Sequence, residues 1–436
     1  MKLSFKFKPD FSHKQLEIVK ELSWHCSKLY NTVNYQIKNN EEVKPIYTKL
    51  ENNFKDNWHT KYLHSHNRQQ LLKQLAQDWK SFFNSIKDYK KSPKKYKGQP
   101  RPPKFKYLDR NPSEIIFTNL AVRVRKNNLL LSLSKEIKSK FQVDSLKFKL
   151  PSVVQSLINL DNLQQVRIKK ENLSGDWYLI ITYKVDEKEN ASGDNVMAIA
   201  SPRWGDAGST LRNLKEEAVD LGLDNLATIT LKDNPKSYII DGKVIKSENR
   251  YYNRKITRLQ KIRMKQVGSK YFKDTKQIKG LRLKRRNFVF DYLHKASKKI
   301  VELALKNNVS TIVIGDIAEI KQNNKHNKHF VSIPIQRLKD LIEYKAKLEG
   351  IKVVFVNEAY TSGCSAIDEE SLSKTDYDKS RRIKRGLFKT GNKVINADVN
   401  GSLNIMRKHL KNGTPKMVKQ IRDMGEVDTP ERLRVS

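Results

Sequence analysis

The chain is 436 residues long and carries 87 Lys plus Arg against 47 Asp plus Glu, a formal charge of +40. That length leaves room for several domains with real cores, and self-repulsion of this size points to a polyanionic partner, nucleic acid first, because phosphate binding returns energy through counterion release. No run of about 18 apolar residues is present to span a bilayer, and Cys26 and Cys364, without CxxC partners, make neither a disulfide framework nor a cysteine-rich zinc site.

Along the chain, "MKLSFKFKPDF" alternates apolar and basic residues as a strand does and lacks the apolar core of a signal peptide, so residence in the cytoplasm, with the nucleoid, is expected. "HKQLEIVKELSWHCSKLYNTVNYQIKNN" and "RQQLLKQLAQDWKSFFNSIKDYKK" repeat apolar residues at helical spacing. The second ends in "SPKKYKGQPRPPKFKY", which cannot continue a helix. Tyr96, Phe105 and Tyr107 are interleaved there with lysines and Arg101, which suits either a solvated linker or a surface that tracks a backbone and stacks bases. His64, His66, His326 and His329 are read as surface or phosphate-facing residues in preference to metal ligands.

From "SEIIFTNLAVRVRKNNLLLSLS" to "WYLIITYKVDEKEN" the pattern is of short β-branched runs with turns between, a small barrel or sandwich that continues the opening strand. Segment 249–308 reads as two long basic helices, a hairpin facing phosphates, with Arg282, Lys284, Arg285 and Arg286 as the contacts. "LATITL", "TIVIGDI" and "KVVFVNEAYTS" are strands, and "IPIQRLKDLIEYKAKLEG" and "NADVNGSLNIMRKHLK" are helices beside them. A hairpin of strands, then parallel strands separated by helices, is the order of an RNase H-like fold.

Asp220 ends a strand that turns at "LGLDN" and returns as "LATIT", which projects a carboxylate near the centre of the sheet. Asp398, where a helix begins, would alone be an N-cap. Together they suit metal ligation, since hydrolysis of a phosphodiester by two Mg²⁺ needs several carboxylates converging from different elements.

"VDLGLDNLATIT", "DYLHKASKKIV", "YKAKLEGIKVVFVNEAYTSGCS" and "NADVNGSLNI" in this order resemble the TnpB (OrfB) family of transposon-encoded RuvC-like nucleases, related to miniature type V CRISPR effectors. The resemblance implies an α+β multidomain chain. Residues 1–10 and 108–190 would form a wedge-like β-barrel with a helical recognition domain, 11–107, inserted in it. Residues 191–436 would form an RNase H-like (RuvC) domain containing the basic hairpin. It implies an RNA-guided DNA endonuclease that uses Mg²⁺, with a guide RNA, a double-stranded DNA target read through an RNA–DNA heteroduplex, and a short adjacent motif read by the protein. Tyr89, Lys94 and Lys95 fall in the part that lies near the DNA duplex.

Three departures from the family pattern stand out. Gly315 occupies the place of the family's middle acid, and Asp316 would face the other side of the strand. Glu358, at the end of the next strand, is therefore read as the replacement, giving Asp220, Glu358 and Asp398 as the catalytic and metal-binding set. A site with no working middle acid, in a guided DNA-binding protein or repressor, is the alternative. Residues 362–392 stand in place of a zinc ribbon, so no zinc is expected. Finally, "SPRWGDAGSTLRNLKEE", with a charged helical tail, separates "NVMAIA" from "AVDLGL". Either the first strand is short, or an insertion interrupts it.

Overall fold

The computed structural model describes residues 1–109, 111–155, 158, 161–187, 215–316, 333–384, 386–391, 393–411, 418 and 430–435. The chain forms two compact units, Met1–Val185 and Asp186–Ser436. No described helix is long and apolar enough to cross a membrane.

In the first unit β1 (Lys2–Phe7) leads to α1 (His13–Asn39), α2 (Tyr47–Phe54) and α3 (Ser65–Lys91). A capping box starts α1: Ser12 Oγ accepts from the Gln15 amide, and Gln15 Oε1 accepts from the Ser12 amide. The chain then continues through β2 (Ile115–Thr118), β3 (Val122–Arg125), β4 (Asn128–Ser132), α4 (Lys135–Phe141), β5 (Ser145–Lys149), α5 (Ser152–Gln155), β6 (Leu163–Lys170) and β7 (Trp177–Lys184). These strands make two sheets, a four-stranded one in the order β1-β7-β6-β2 and a three-stranded one, β3-β4-β5. The apolar faces of both sheets join α1 and α3 in a single core. His64 and His66 are structural in this unit: His64 accepts from the His66 amide at the start of α3, and His66 Nδ1 meets Thr118 Oγ1 at 2.8 Å. Both rings remain half-exposed, and His326 and His329 lie outside the described residues.

The second unit is built on a six-stranded sheet in the order β12-β11-β8-β9-β10-β15. Its strands are β8 (Lys215–Asp220), β9 (Asn225–Leu231), β10 (Asn234–Asp241), β11 (Val309–Asp316), β12 (Lys352–Asn357) and β15 (Glu431–Leu433). Two long helices, α6 (Lys243–Val267) and α7 (Lys276–Lys306), separate β10 from β11, and α8 (Ile335–Leu348) precedes β12. A short hairpin, β13 (Leu387–Thr390) with β14 (Lys393–Asn396), leads into α9 (Ala397–His409).

Strands β8, β11 and β12 run parallel, so all three end at one edge. Alternation then sorts their side chains. Val219, Ile312 and Ile314 pack with Leu293, Ala296 and Ile300 of α7 and with Leu338 and Leu341 of α8, the Val, Leu and Ile side chains contributing roughly 1.5–3 kcal/mol each on burial. Ala218 and Val313 face the other way, against Ile405 and Met406 of α9. The sheet edge beneath the start of α9 is thereby the place where polar side chains can collect.

One expectation is corrected. The end of the segment read as a charged helical tail, Lys215–Glu217, is extended and forms the first half of β8. Pairing with β11 and β9 overrides its local polarity: Glu217 sits opposite both Ile312 and Leu231 and is fully buried. "NVMAIA" lies outside the described residues.

Candidate active site

Asp220 is the last residue of β8, one step beyond the Val219–Ile314 pair, so Gly315 is its neighbour on β11. Gly315 pairs in turn with Val356 on β12, two residues before Glu358. Side chains at 220, 315, 356 and 358 therefore share the α9 face of the sheet. A Cβ built on Gly315 would fall 2.7 Å from both Cγ and Cδ of Glu358. Glu358 thus fills the space a side chain on β11 would have used. Asp316 points to the opposite face, where Lys339 Nζ of α8 donates to its Oδ1 at 2.7 Å.

The third carboxylate comes down from α9. Asn396 caps that helix, accepting from the amides of Asp398 and Val399, so Asp398 occupies the first turn and is not the cap. A Cβ on Gly401 would lie 2.6 Å from Asp220 Oδ2, so only glycine lets α9 approach this closely. Ser402 completes the seat: its hydroxyl donates to the Ala218 carbonyl and meets Thr230 Oγ1 at 2.9 Å.

Electrostatics connects the three groups. Burial first, then the charges of Glu358 and Asp398, push the Asp220 carboxyl well above the usual range, and Arg382 opposes them. Burial, aided by Asp316 and opposed by Lys339, raises Glu358 to about 7. Glu358 Oε1 is buried without a hydrogen-bond partner among the described residues. Asp398 is better satisfied, since Oδ2 accepts from Asn225 Nδ2 at 2.7 Å and Oδ1 from Arg382 Nη2 at 3.3 Å. Among the described residues no three acidic, His or Cys side chains already converge as a closed ligand set. In kind the residues do fit a hard divalent cation: oxygen donors only, one orphaned, crowded enough that two resist ionisation without added positive charge.

A cavity of about 560 Å³ opens beside Asp398, lined also by Asn225, Lys243, Arg382 and Arg432. Sequence reasoning missed Asn225 and Arg382. The first lies three residues past the glycine of "LGLDN", and the second is one of several cations in "RRIKRGLF", so neither stands out before folding brings it to Asp398.

The cations expected to meet nucleic acid differ in their partners. Arg282 pairs with Asp274 at 2.7 Å, and Arg285 Nε donates to Asn249 Oδ1 at 2.6 Å while lying over the Tyr252 ring. Both side chains tie α7 to its neighbouring segments. Arg282, Arg285 and Arg286 stand three and four residues apart on α7, and a longer row of the same spacing runs along α6. Lys284 is exposed and Arg286 half-buried. On α6, Arg250, Arg254, Arg258, Lys261 and Lys265 line a groove of about 1230 Å³.

On the first unit, Tyr89 packs edge-on against Tyr96 at 5.7 Å, and Lys95 lies 3.8 Å from Asp88. Lys94 and Arg101 are exposed, and Arg101 lines a groove of about 390 Å³ with Lys104 and Phe105. Trp24 and Trp58, both exposed and in edge contact at 6.5 Å, with Lys28 beside Trp24, were not singled out from sequence.

With this geometry in hand, the comparisons with known proteins agree with one another. The OrfB_IS605 family model, described as a probable transposase, matches residues 208–321, and the Cas12f1-like TNB domain matches 336–405. The chain is similar to the TnpB-like and Cas12f proteins. A TnpB-like protein of Methanocaldococcus jannaschii is 29% identical over 232 residues, 48% of this chain and 73% of the relative. A TnpB-like protein of Acidianus two-tailed virus is 23% identical over 91% of this chain and 84% of its own length. The CRISPR-associated endodeoxyribonuclease Cas12f2 of a Micrarchaeota archaeon is 34% identical over 31% of this chain, but that match spans only 26% of the relative. Among solved structures, a Cas12f1–sgRNA–target DNA complex superposes with TM-score 0.58 at 15% identity, covering 91% of this chain and 83% of the other. The mini-RNA-guided endonuclease CRISPR-Cas_phi3 gives 0.53 at 12% identity over 95% and 93%. At such identities these two report the fold, a mixed α+β multidomain architecture.

Proposed function

We propose that the chain is an RNA-guided DNA endonuclease whose second unit is a RuvC-like nuclease domain, with Asp220, Glu358 and Asp398 as its acidic set. The observation that carries this reading is Glu358 in the space beside Gly315: an acid absent from one strand is supplied by its neighbour, on the same face as Asp220. Glu358 also turns toward the site an oxygen that accepts no hydrogen bond from the described residues, which leaves it open to a cation. That same observation weighs against the guided but non-cutting alternative.

Divalent metal, Mg²⁺ by the oxygen-only donor set, would be held by the three carboxylates and would supply Lewis-acid charge for attack on a phosphodiester. The chain's own groups do the rest. Arg382 and Lys243, on the cavity beside Asp398, orient the scissile phosphate. Glu358, whose proton is poised near neutral pH, exchanges it as charge enters the site. The α6 row and the aromatic and basic surface of the first unit follow nucleic-acid backbone and unpaired bases. The relatives named as endodeoxyribonucleases, and the fold shared with a guide RNA–DNA complex, support guide RNA and DNA as the partners.

The test is a cleavage assay on protein co-purified with its cellular RNA, given a plasmid library with a randomised flank and Mg²⁺. Cutting by the wild type and none by Asp220→Ala supports the reading. Guided binding with no cutting by either protein refutes it.

A further inference from the structure

Arg407 is a 2% exposed arginine on α9, about two and a half turns from Asp398, and it is not among the described residues that line the cavity. Its guanidinium is spent on the loop between β12 and β13: Nη2 donates to the Glu370 carbonyl at 2.8 Å, and Nη1 to the Ser365 carbonyl and to Asn404 Oδ1. Two further α9 residues join it. Asn404 donates to the carbonyls of Thr361 and Cys364, and Asn400 donates to the Cys364 carbonyl and accepts from the Ala366 amide. One polar stripe of α9 therefore holds the loop by its backbone.

Glu370 passes this anchorage on. Its backbone is held by Arg407, Oε2 accepts from the Ser365 amide at 2.6 Å, and Oε1 accepts from Arg381 Nη1 at 2.5 Å. The Arg381 carbonyl in turn accepts from the Lys389 amide of β13. The next residue is Arg382, whose guanidinium reaches Asp398 and opposes the raised proton affinity of Asp220.

The geometry points to Arg407 as a positioning residue that sets Arg382 in the site, through Glu370 and Arg381, without a metal in the loop. The inference rests on the reading of Arg382 as a phosphate-orienting group. Burying an arginine is costly unless its donors are used on fixed acceptors, and here both Nη atoms reach carbonyls of the segment that carries Arg382, while Nε has no hydrogen-bond partner among the described residues. Because α9 also carries Asp398, one helix fixes both partners of the Arg382–Asp398 pair.

The experiment compares wild type, Arg407→Met, Arg382→Ala and the double variant as full chains with their RNA. Three readouts are taken: single-turnover cutting, guided DNA affinity, and hydrogen exchange at the Lys389 amide with the β11 amides as reference. Arg407→Met is expected to slow cutting at least tenfold at unchanged affinity and to speed exchange at Lys389 while β11 stays protected. The double variant is expected to cut no more slowly than Arg382→Ala alone. Wild-type cutting by Arg407→Met, or losses that multiply in the double variant, overturns the inference. If the wild type does not cut, the nuclease reading fails by itself, and unchanged Lys389 protection in Arg407→Met overturns the brace separately. Should Arg407→Met not fold, Glu370→Gln, which keeps the shape and removes the charge facing Arg381, takes its place in every comparison.

Discussion

Glu358 and Gly315 occupy one volume between them: the side chain of the first stands where any side chain of the second would be. The residues sit on adjacent parallel strands, with Gly315 paired to Val356. Swapping them is therefore informative. Gly315→Glu alone forces two carboxylates into one site and should destabilise the protein and abolish cutting. Gly315→Glu combined with Glu358→Ala should recover stability and part of the cutting rate. Thermal unfolding and cleavage of the two variants check this.

The raised proton affinities set a pH dependence with a definite sign. Glu358 titrates near 7 in the fold against 4.5 as its ordinary value, and Asp220 is shifted in the same direction. The native state therefore holds more protons than the unfolded state in this window, and stability of the metal-free protein falls as pH rises from about 4.5 to 7. Below the lower value both states are protonated, and the contribution is fully present. Thermal melts across pH should show this decline in chelator, and Glu358→Gln should flatten part of it. Mg²⁺ should bind more tightly as pH rises, with release of protons.

The row on α6 predicts a salt effect that the α7 arginines do not share. Arg254→Ala with Arg258→Ala should lower the slope of log affinity against log salt by about 1.4–1.8, as two lost phosphate contacts would. Arg282→Ala with Arg285→Ala should instead lower the melting temperature, because these side chains hold Asp274 and Asn249. Binding titrations at several salt concentrations separate the two sets.

Glu217 is an internal carboxyl, with burial raising its proton affinity and neither oxygen hydrogen-bonded among the described residues. Replacing it by Leu removes an unsatisfied polar group and leaves apolar contacts with the strands on either side, so a gain of about 1–3 kcal/mol is expected. Denaturant unfolding of Glu217→Leu against wild type measures it.

Much of the second unit was legible because its strands, such as "TIVIGD", are β-branched and buried on both faces, and because α8 and α9 show helical spacing. The positions of Asp220 and Asp398 followed from strand end and helix start. What stayed hidden was set by tertiary contact. Lys215–Glu217 reads as a charged tail until β9 and β11 pair with it, and Arg382 is one cation among several until the loop is anchored by Arg407. That the hairpin of α6 and α7 is basic is plain in the sequence, whereas which of its cations line one groove is set by folding. In the first unit, strand content was readable, but the division into sheets of four and three strands depends on long-range pairing, such as β1 with β7.

The decisive measurement is single-turnover cleavage by Glu358→Ala beside the wild type, with guided DNA binding followed in parallel. Loss of cutting by at least a hundredfold at unchanged binding is the result expected if Glu358 supplies the acid that Gly315 lacks. Cutting at the wild-type rate would contradict it and would leave the nuclease without this carboxylate.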